Sequence, residues 1–271
     1  MIRFLILAGY FELTMYLQLS GKLNQYINLH YSYLAYISMF LSFVLALVQL
    51  IIWVKQMKIH SHLSGFWAKV ASIFLLCIPL FVGLFFPTVT LDSQTVSAKG
   101  YHFPVAAGSS KEIQQDEGTT TQYLKPDTSS YFTKSAYESE MKKAAKKYVD
   151  KKVIQVTTEN YMEVMEVIYD YPDQFAGKTI ELTGFVYNDP NNKDSQFLFR
   201  FGIIHCIADS GVYGLLTTGA PQHFENNIWI HAKGTLSIEY HKQLKQSLPV
   251  LHISDCQTIT KPDNPYVYRV F

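Results

Sequence analysis

Three apolar runs occupy the first 88 residues, and they constrain this chain more than any other feature. A helix rises 1.5 Å per residue, so about 20 apolar residues cross the hydrocarbon core of a bilayer. The runs cover residues 4–19, 31–54 and 66–87. The first contains Glu12, the second no charged residue, and the third Lys69 near its start. A cleaved leader is the rival reading for the first run. Glu12 interrupts its apolar centre and no small-residue cleavage site follows cleanly, so the run is expected to persist as a span. Residues 1–88 are therefore expected to form a transmembrane helical domain, with the lipid bilayer as a partner.

The lysines predict the topology. Lys55, Lys58 and Lys69 bracket the link between the second and third runs, whereas Lys22 stands alone in the link between the first and second. Positively charged loops stay on the cytoplasmic side. Arg3 and residues 55–69 are then inside, with Trp53 and Trp67 at that interface. Residues 21–30 and everything after Pro87 are outside. Glu12 falls near mid-depth, where an ionised carboxylate is costly. It is a membrane-embedded candidate, expected to be protonated or to face a helical neighbour, with Gly9 close by on the helix. Pro79 removes a backbone donor and is expected to kink the third helix. His60 and His62, on the cytoplasmic loop, are candidate metal ligands; a solvated loop is the plainer reading of the pair.

The remaining residues read as a water-soluble chain. Lys and Arg number 23 against 22 Asp and Glu, with no basic stripe interleaved with aromatics, which argues against nucleic acid as a partner. Residues 89–152 are expected to be an extracytoplasmic linker. Residues 105–130 are rich in Ser, Thr, Gly, Gln and Asp and bury too little surface to offset ordering entropy. Residues 134–152 are charged and helix-prone, and a solvated helix is expected there. Their lysines could also lie near anionic headgroups.

A second domain is expected over residues 153–271. In 157–172, Tyr161, Val164, Met165 and Ile168 repeat at helical spacing, with Thr158 as N-cap and Pro172 as the stop. Five alternating segments follow, punctuated by Gly, Asn, Asp and Pro. Gly184 and Gly234 fall mid-strand, where a bulge or sharp bend is the usual meaning. Short, bent strands with one helix predict a small closed barrel of OB type, with a β-sandwich as the alternative. The predicted class is thus membrane α plus soluble β: about three N-terminal transmembrane helices, then an extracytoplasmic OB-like β-barrel with a short helix.

"FPTVTLDSQTVSAKG", "TGFVYN", "HCIADS", "VYGLL", "IWIHAKGTL", "PVLHI" and the ending "PYVY" together resemble the YcgQ-like family of bacterial membrane proteins. The resemblance runs almost end to end and is weakest over residues 101–150. It implies a predicted permease subunit that works beside a larger multi-helix permease, in a family without a demonstrated substrate. The family tends to carry paired cysteines where this chain has His205 and Cys206. A histidine there can serve as a metal ligand but not as a redox partner.

"HCIADSG", residues 205–211, is the stretch richest in reactive side chains. His205, Cys206 and Asp209 are ligand or metal candidates. Strand alternation puts Phe197, Phe199, Phe201, Ile203 and His205 on one face, and Leu198, Arg200, Ile204 and Cys206 on the other. Adjacent His and Cys then point apart, and only a bend after Ile204 would gather Cys206 and Asp209 with His223, His231 or Cys256. The plainer expectation is Cys206 in the core and Asp209 bonding backbone donors in the turn that follows it. A disulfide between Cys206 and Cys256 is a third possibility, and Cys77 reads as packing. No GxSxG, HExxH or Walker loop is present, so an enzyme is not expected. Three readings stand: an accessory permease subunit whose outer domain binds or gates at the membrane surface, a membrane-tethered envelope-binding module, and a metal-dependent membrane enzyme. No particular cofactor is implied.

Overall fold

A computed structural model describes residues 1–57, 65–86, 89–100, 134–189, 196–241 and 246–269. His60 and His62, and the stretch 105–130, lie outside the described residues. The chain divides into two compact units, Met1–Thr90 and Leu91–Phe271.

The first unit holds α1 (Ile2–Leu19), α2 (Ser32–Val54) and α3 (Phe66–Phe85). All three are long and apolar enough to cross a membrane. Between helices in lipid there is no hydrophobic driving force, so close packing has to hold them. Two glycines supply it. A Cβ on Gly9 of α1 would sit 3.0 Å from Leu80 of α3, and one on Gly83 of α3 would sit 2.9 Å from Leu13 of α1. Each leucine thus fills the notch on the opposing helix. Phe11 of α1 meets Phe43 of α2 with ring centroids 5.3 Å apart. Pro79 lies inside α3, which stays helical on both sides of it.

The second unit begins with α4 (Ser93–Lys99), capped by the Asp92 carboxylate, which accepts from the N–H groups of Gln94 and Thr95. Then come α5 (Lys134–Val149), β1 (Val153–Gln155), α6 (Tyr161–Asp170) and α7 (Pro172–Phe175). The strands β2 (Thr179–Asn188), β3 (Gln196–Ile203), β4 (Gly211–Thr218), β5 (Trp229–His241), β6 (Gln246–Ile259) and β7 (Tyr266–Tyr268) complete it. β2, β3 and β4 form an antiparallel meander; β4 pairs parallel with β6, β6 antiparallel with β5, and β5 antiparallel with β2. Because β2 bonds both β5 and β3, the five strands close into a barrel of OB type, and the sandwich alternative falls. β1 and β7 extend it at β2 and β3.

Closure demands tight approaches. A Cβ on Gly214 would lie 1.9 Å from the carbonyl oxygen of Leu198, so only glycine fits in β4 there. At Gly234 it would lie 2.2 Å from the carbonyl of His252, beside a register shift between Lys233 and Gly234. The bulge expected at Gly234 is present and lets the long β5–β6 ribbon bend.

Two local expectations change. Thr158 does not cap α6. Its hydroxyl accepts from Arg200, and the cap position belongs to Asn160. α6 does end at Asp170, ahead of the expected stop at Pro172, and Pro172 itself opens α7 at its first turn, where a missing N–H is harmless. The charged helix expected to be solvated is instead half-buried. Met141, Ala144, Ala145 and Tyr148 recur at i, i+3, i+4 and i+7 of α5 and join the barrel-and-α6 core. Lys142, Lys143, Lys146 and Lys147 occupy the remaining faces. Val96 of α4 is also fully buried in this core. Residues 91–100 and 134–152 therefore belong to the second unit.

Candidate functional site

β3 ends at Ile203, and the chain bends through Ile204 and His205 before a single 3-10 turn, Ile207–Asp209. The bend breaks the strand alternation that would have carried His205 and Cys206 to opposite faces. It brings His205 and Asp209 together: the Asp209 carboxylate lies 2.8 Å from His205 Nδ1. The same carboxylate accepts from the backbone N–H of His205 at 2.9 Å and of Cys206 at 3.0 Å. Asp209 was expected to close the turn that follows it, and it closes the one that precedes it. The physical reason is the 3-10 geometry, which places the third residue of the turn over the free N–H groups at its start, as in a capping box.

Cys206 is half-buried rather than core, and Cys77, Cys206 and Cys256 are free thiols. Among the described residues no three His, Cys, Asp or Glu side chains converge on a point where a metal ion could sit. What joins the turn instead is a lysine. Lys99, the last residue of α4, donates to the hydroxyl of the fully buried Ser210 at 2.9 Å and approaches its carbonyl oxygen at 3.3 Å. Partial burial holds the Lys99 ammonium below its ordinary range, against the opposing pull of Asp209. The turn is thus a polar knot of Lys99, His205, Asp209 and Ser210 that fastens α4 to the barrel.

Two further histidine clusters escaped the sequence. Thr183 and His231 are direct cross-strand partners on β2 and β5. His231 Nδ1 is 2.9 Å from the Thr183 hydroxyl, and Nε2 is 3.0 Å from Glu181. On the neighbouring strands His252 stands 2.8 Å from the hydroxyls of Thr218 and Ser237 and 2.6 Å from Glu239. Only strand register could have revealed these sets, because their members lie far apart in sequence. They are partly exposed cross-strand pairs of the kind that stabilise a sheet.

Under the barrel, α6 carries Glu166, buried with Arg269 3.4 Å away. Burial pushes its carboxyl up to about 7; Arg269 opposes the rise, while Asp170, Glu140 and Glu163 add to it. Tyr137 of α5 donates to Asp170 at 3.1 Å, so the same acidic corner clasps α5. In the membrane unit, Glu12 is exposed on the outer side of α1, in line with Leu5, Tyr16 and Leu19. Gly9 faces Leu80 of α3, whereas Glu12 is exposed, so among the described residues no helix covers it.

A helical unit fit to cross a bilayer, followed by a closed OB-type barrel with its own helices, defines a multi-pass membrane protein with a folded polar domain. The chain belongs to the DUF1980 family: residues 2–102 match the DUF1980 N-terminal domain and residues 131–269 the DUF1980 C-terminal domain. A Streptococcus mutans protein named "Putative two-component membrane permease complex subunit" is 67% identical over 271 residues, covering the whole of both chains. The Bacillus subtilis protein UPF0703 protein YcgQ is 40% identical over 291 aligned positions, again covering both chains fully. The YcgQ-like resemblance is therefore family membership. The matched N-terminal domain runs past Thr90, so it includes α4, which packs with the barrel.

Proposed function

We infer that the chain is an accessory membrane subunit of a permease complex. Its partner is a larger multi-helix permease component, and its barrel lies on the extracytoplasmic side, where it binds or gates at the membrane surface. The observation that carries this reading is similarity over the entire length to a relative whose name assigns it to a two-component membrane permease complex. Two physical points support it. Three crossing helices provide few walls for a conduit, which suits a subunit that completes another. A carboxylate on the outer side of α1 is costly against lipid, which suits a protein neighbour. An enzymatic role is not part of this reading: the histidine–carboxylate pairs serve to fasten strands and turns.

The test is isolation of the tagged full chain from its native membrane in mild detergent. A multi-helix membrane protein encoded as a permease should co-isolate at a fixed ratio and survive a second purification step. A chain that purifies alone, fully folded, would favour the tethered envelope-binding module instead.

A further inference from the structure

The start of α1, the end of α2 and the start of α3 meet around an open cleft of about 1080 Å³. This is above the roughly 1,000 Å³ upper range of small-molecule pockets. Its lining is graded. Arg3 of α1 and Lys69 of α3 contribute the charged side chains, and Gln49, Gln56 and Ser72 contribute neutral polar groups. Ile6, Ile52, Ile73 and Leu76 line the rest with hydrocarbon. Tyr10 crosses from α1 to donate to the Leu76 carbonyl at 2.9 Å. From Arg3 to Tyr10 the helix advances about 10 Å, so the cleft descends from the membrane surface well into the acyl layer.

Among the described residues no carboxylate lines the cleft, and neither Arg3 nor Lys69 has an acidic partner or a side-chain hydrogen bond. Two cations at a helix end could simply extend into the headgroup layer. That accounts for their charge but not for an apolar cleft opening beneath them. A ligand that matches both features has a negative head, hydrogen-bonding groups just below it, and an apolar tail.

We propose that this cleft is a binding site for one anionic phospholipid, with its phosphate held by Arg3 and Lys69 and an acyl chain lying against the isoleucines. The site belongs to the membrane unit alone and is independent of the permease reading. Basic pockets between transmembrane helices bind anionic headgroups by the same electrostatics.

Native mass spectrometry of the full chain in mild detergent tests it, with phosphatidylglycerol and phosphatidylcholine of identical chains, inorganic phosphate and glycerol 3-phosphate as probes. Wild type should retain one phosphatidylglycerol in preference to phosphatidylcholine. The R3Q/K69Q double variant should bind it about 30-fold more weakly, since each basic residue near the surface contributes about 1 kcal/mol. K22Q, at the other end of α1, should bind like wild type. The R3K/K69R variant keeps both charges and should also retain the lipid, which separates charge loss from misfolding. Ser72→Trp, which fills the cleft without touching a charge, should displace the lipid. Equal retention of the two lipids, or of phosphatidylglycerol by wild type and R3Q/K69Q, would overturn the site. Binding of inorganic phosphate or glycerol 3-phosphate as tight as that of the lipid would assign the cations to a free anion and overturn it too.

Discussion

Arg200 shows how far a single side chain can decide the barrel's edge. It is 3% exposed, yet its guanidinium donates to the carbonyls of Asn264, Pro265 and Tyr266 and to the Thr158 hydroxyl, and it lies over the rings of Tyr161 and Trp229. It thereby fixes the final strand and the entry to α6 at once. Arg200→Met fills the space but strands those carbonyls, each costing about 1–3 kcal/mol. The fragment 91–271 carrying it should melt at least about 6 °C lower than wild type; an unchanged melting temperature would remove the clamp. Glu166 gives a pH signature. Its carboxyl is raised from 4.5 to about 7 in the folded state, so between those values the folded chain holds a proton that the unfolded chain has released. Stability therefore falls as pH rises from about 4.5 to 7 and levels off above that, by an amount on the order of 3 kcal/mol. Glu166→Gln should flatten this slope and melt higher than wild type at pH 8, as read by circular dichroism across pH. The sequence offered Arg200 only as a strand residue and Glu166 only as one polar position on a helix. What commits both is tertiary placement: partners some 65 and 100 positions away, which periodicity does not reach.

Elements were legible where their pattern was local. The three membrane helices, α6 and the five barrel strands all announce themselves through composition, spacing or alternation, and Gly234 through its mid-strand placement, whereas Gly214 was not singled out. α5 was legible as a helix but its buried face was not, because alanine supplies two of its four buried positions and lysine dominates what surrounds them. β1 and β7, of three residues each, carry too little pattern to be seen. The turn after β3 misled in a different way: alternation was extended two residues too far, past the bend at Ile204, and this hid the approach of His205 to Asp209. Two outcomes follow. A fragment beginning at residue 153 lacks α5 and should expose the apolar side of α6. It should melt lower than one beginning at 134 and bind a hydrophobic dye, with equal melting of the two overturning the role given to α5. Asp209→Ala removes the acceptor for two N–H groups and should cost about 1 kcal/mol, as loss of a cap does. Hydrogen exchange should quicken at His205 and Cys206 and stay unchanged in β2 and β5. Loss of the whole barrel's protection would mean that the turn is part of the folding core instead.

At the scale of the whole molecule, two units carry the fold: apolar helices, of which α1 and α3 interlock through glycine–leucine notches, and a closed five-stranded barrel with its own helices. The lysine bias around residues 55–69 is the ground on which the barrel is proposed to lie outside, and the permease reading depends on that side. Labelling of intact cells with a membrane-impermeant thiol reagent tests it most directly. Single cysteines would be placed at 24, 61 or 120 in a chain whose Cys77, Cys206 and Cys256 have been replaced. Positions 24 and 120 should label and position 61 should label only after the cells are opened. Labelling at 61 on intact cells, with 120 protected, would put the barrel in the cytoplasm and contradict the account.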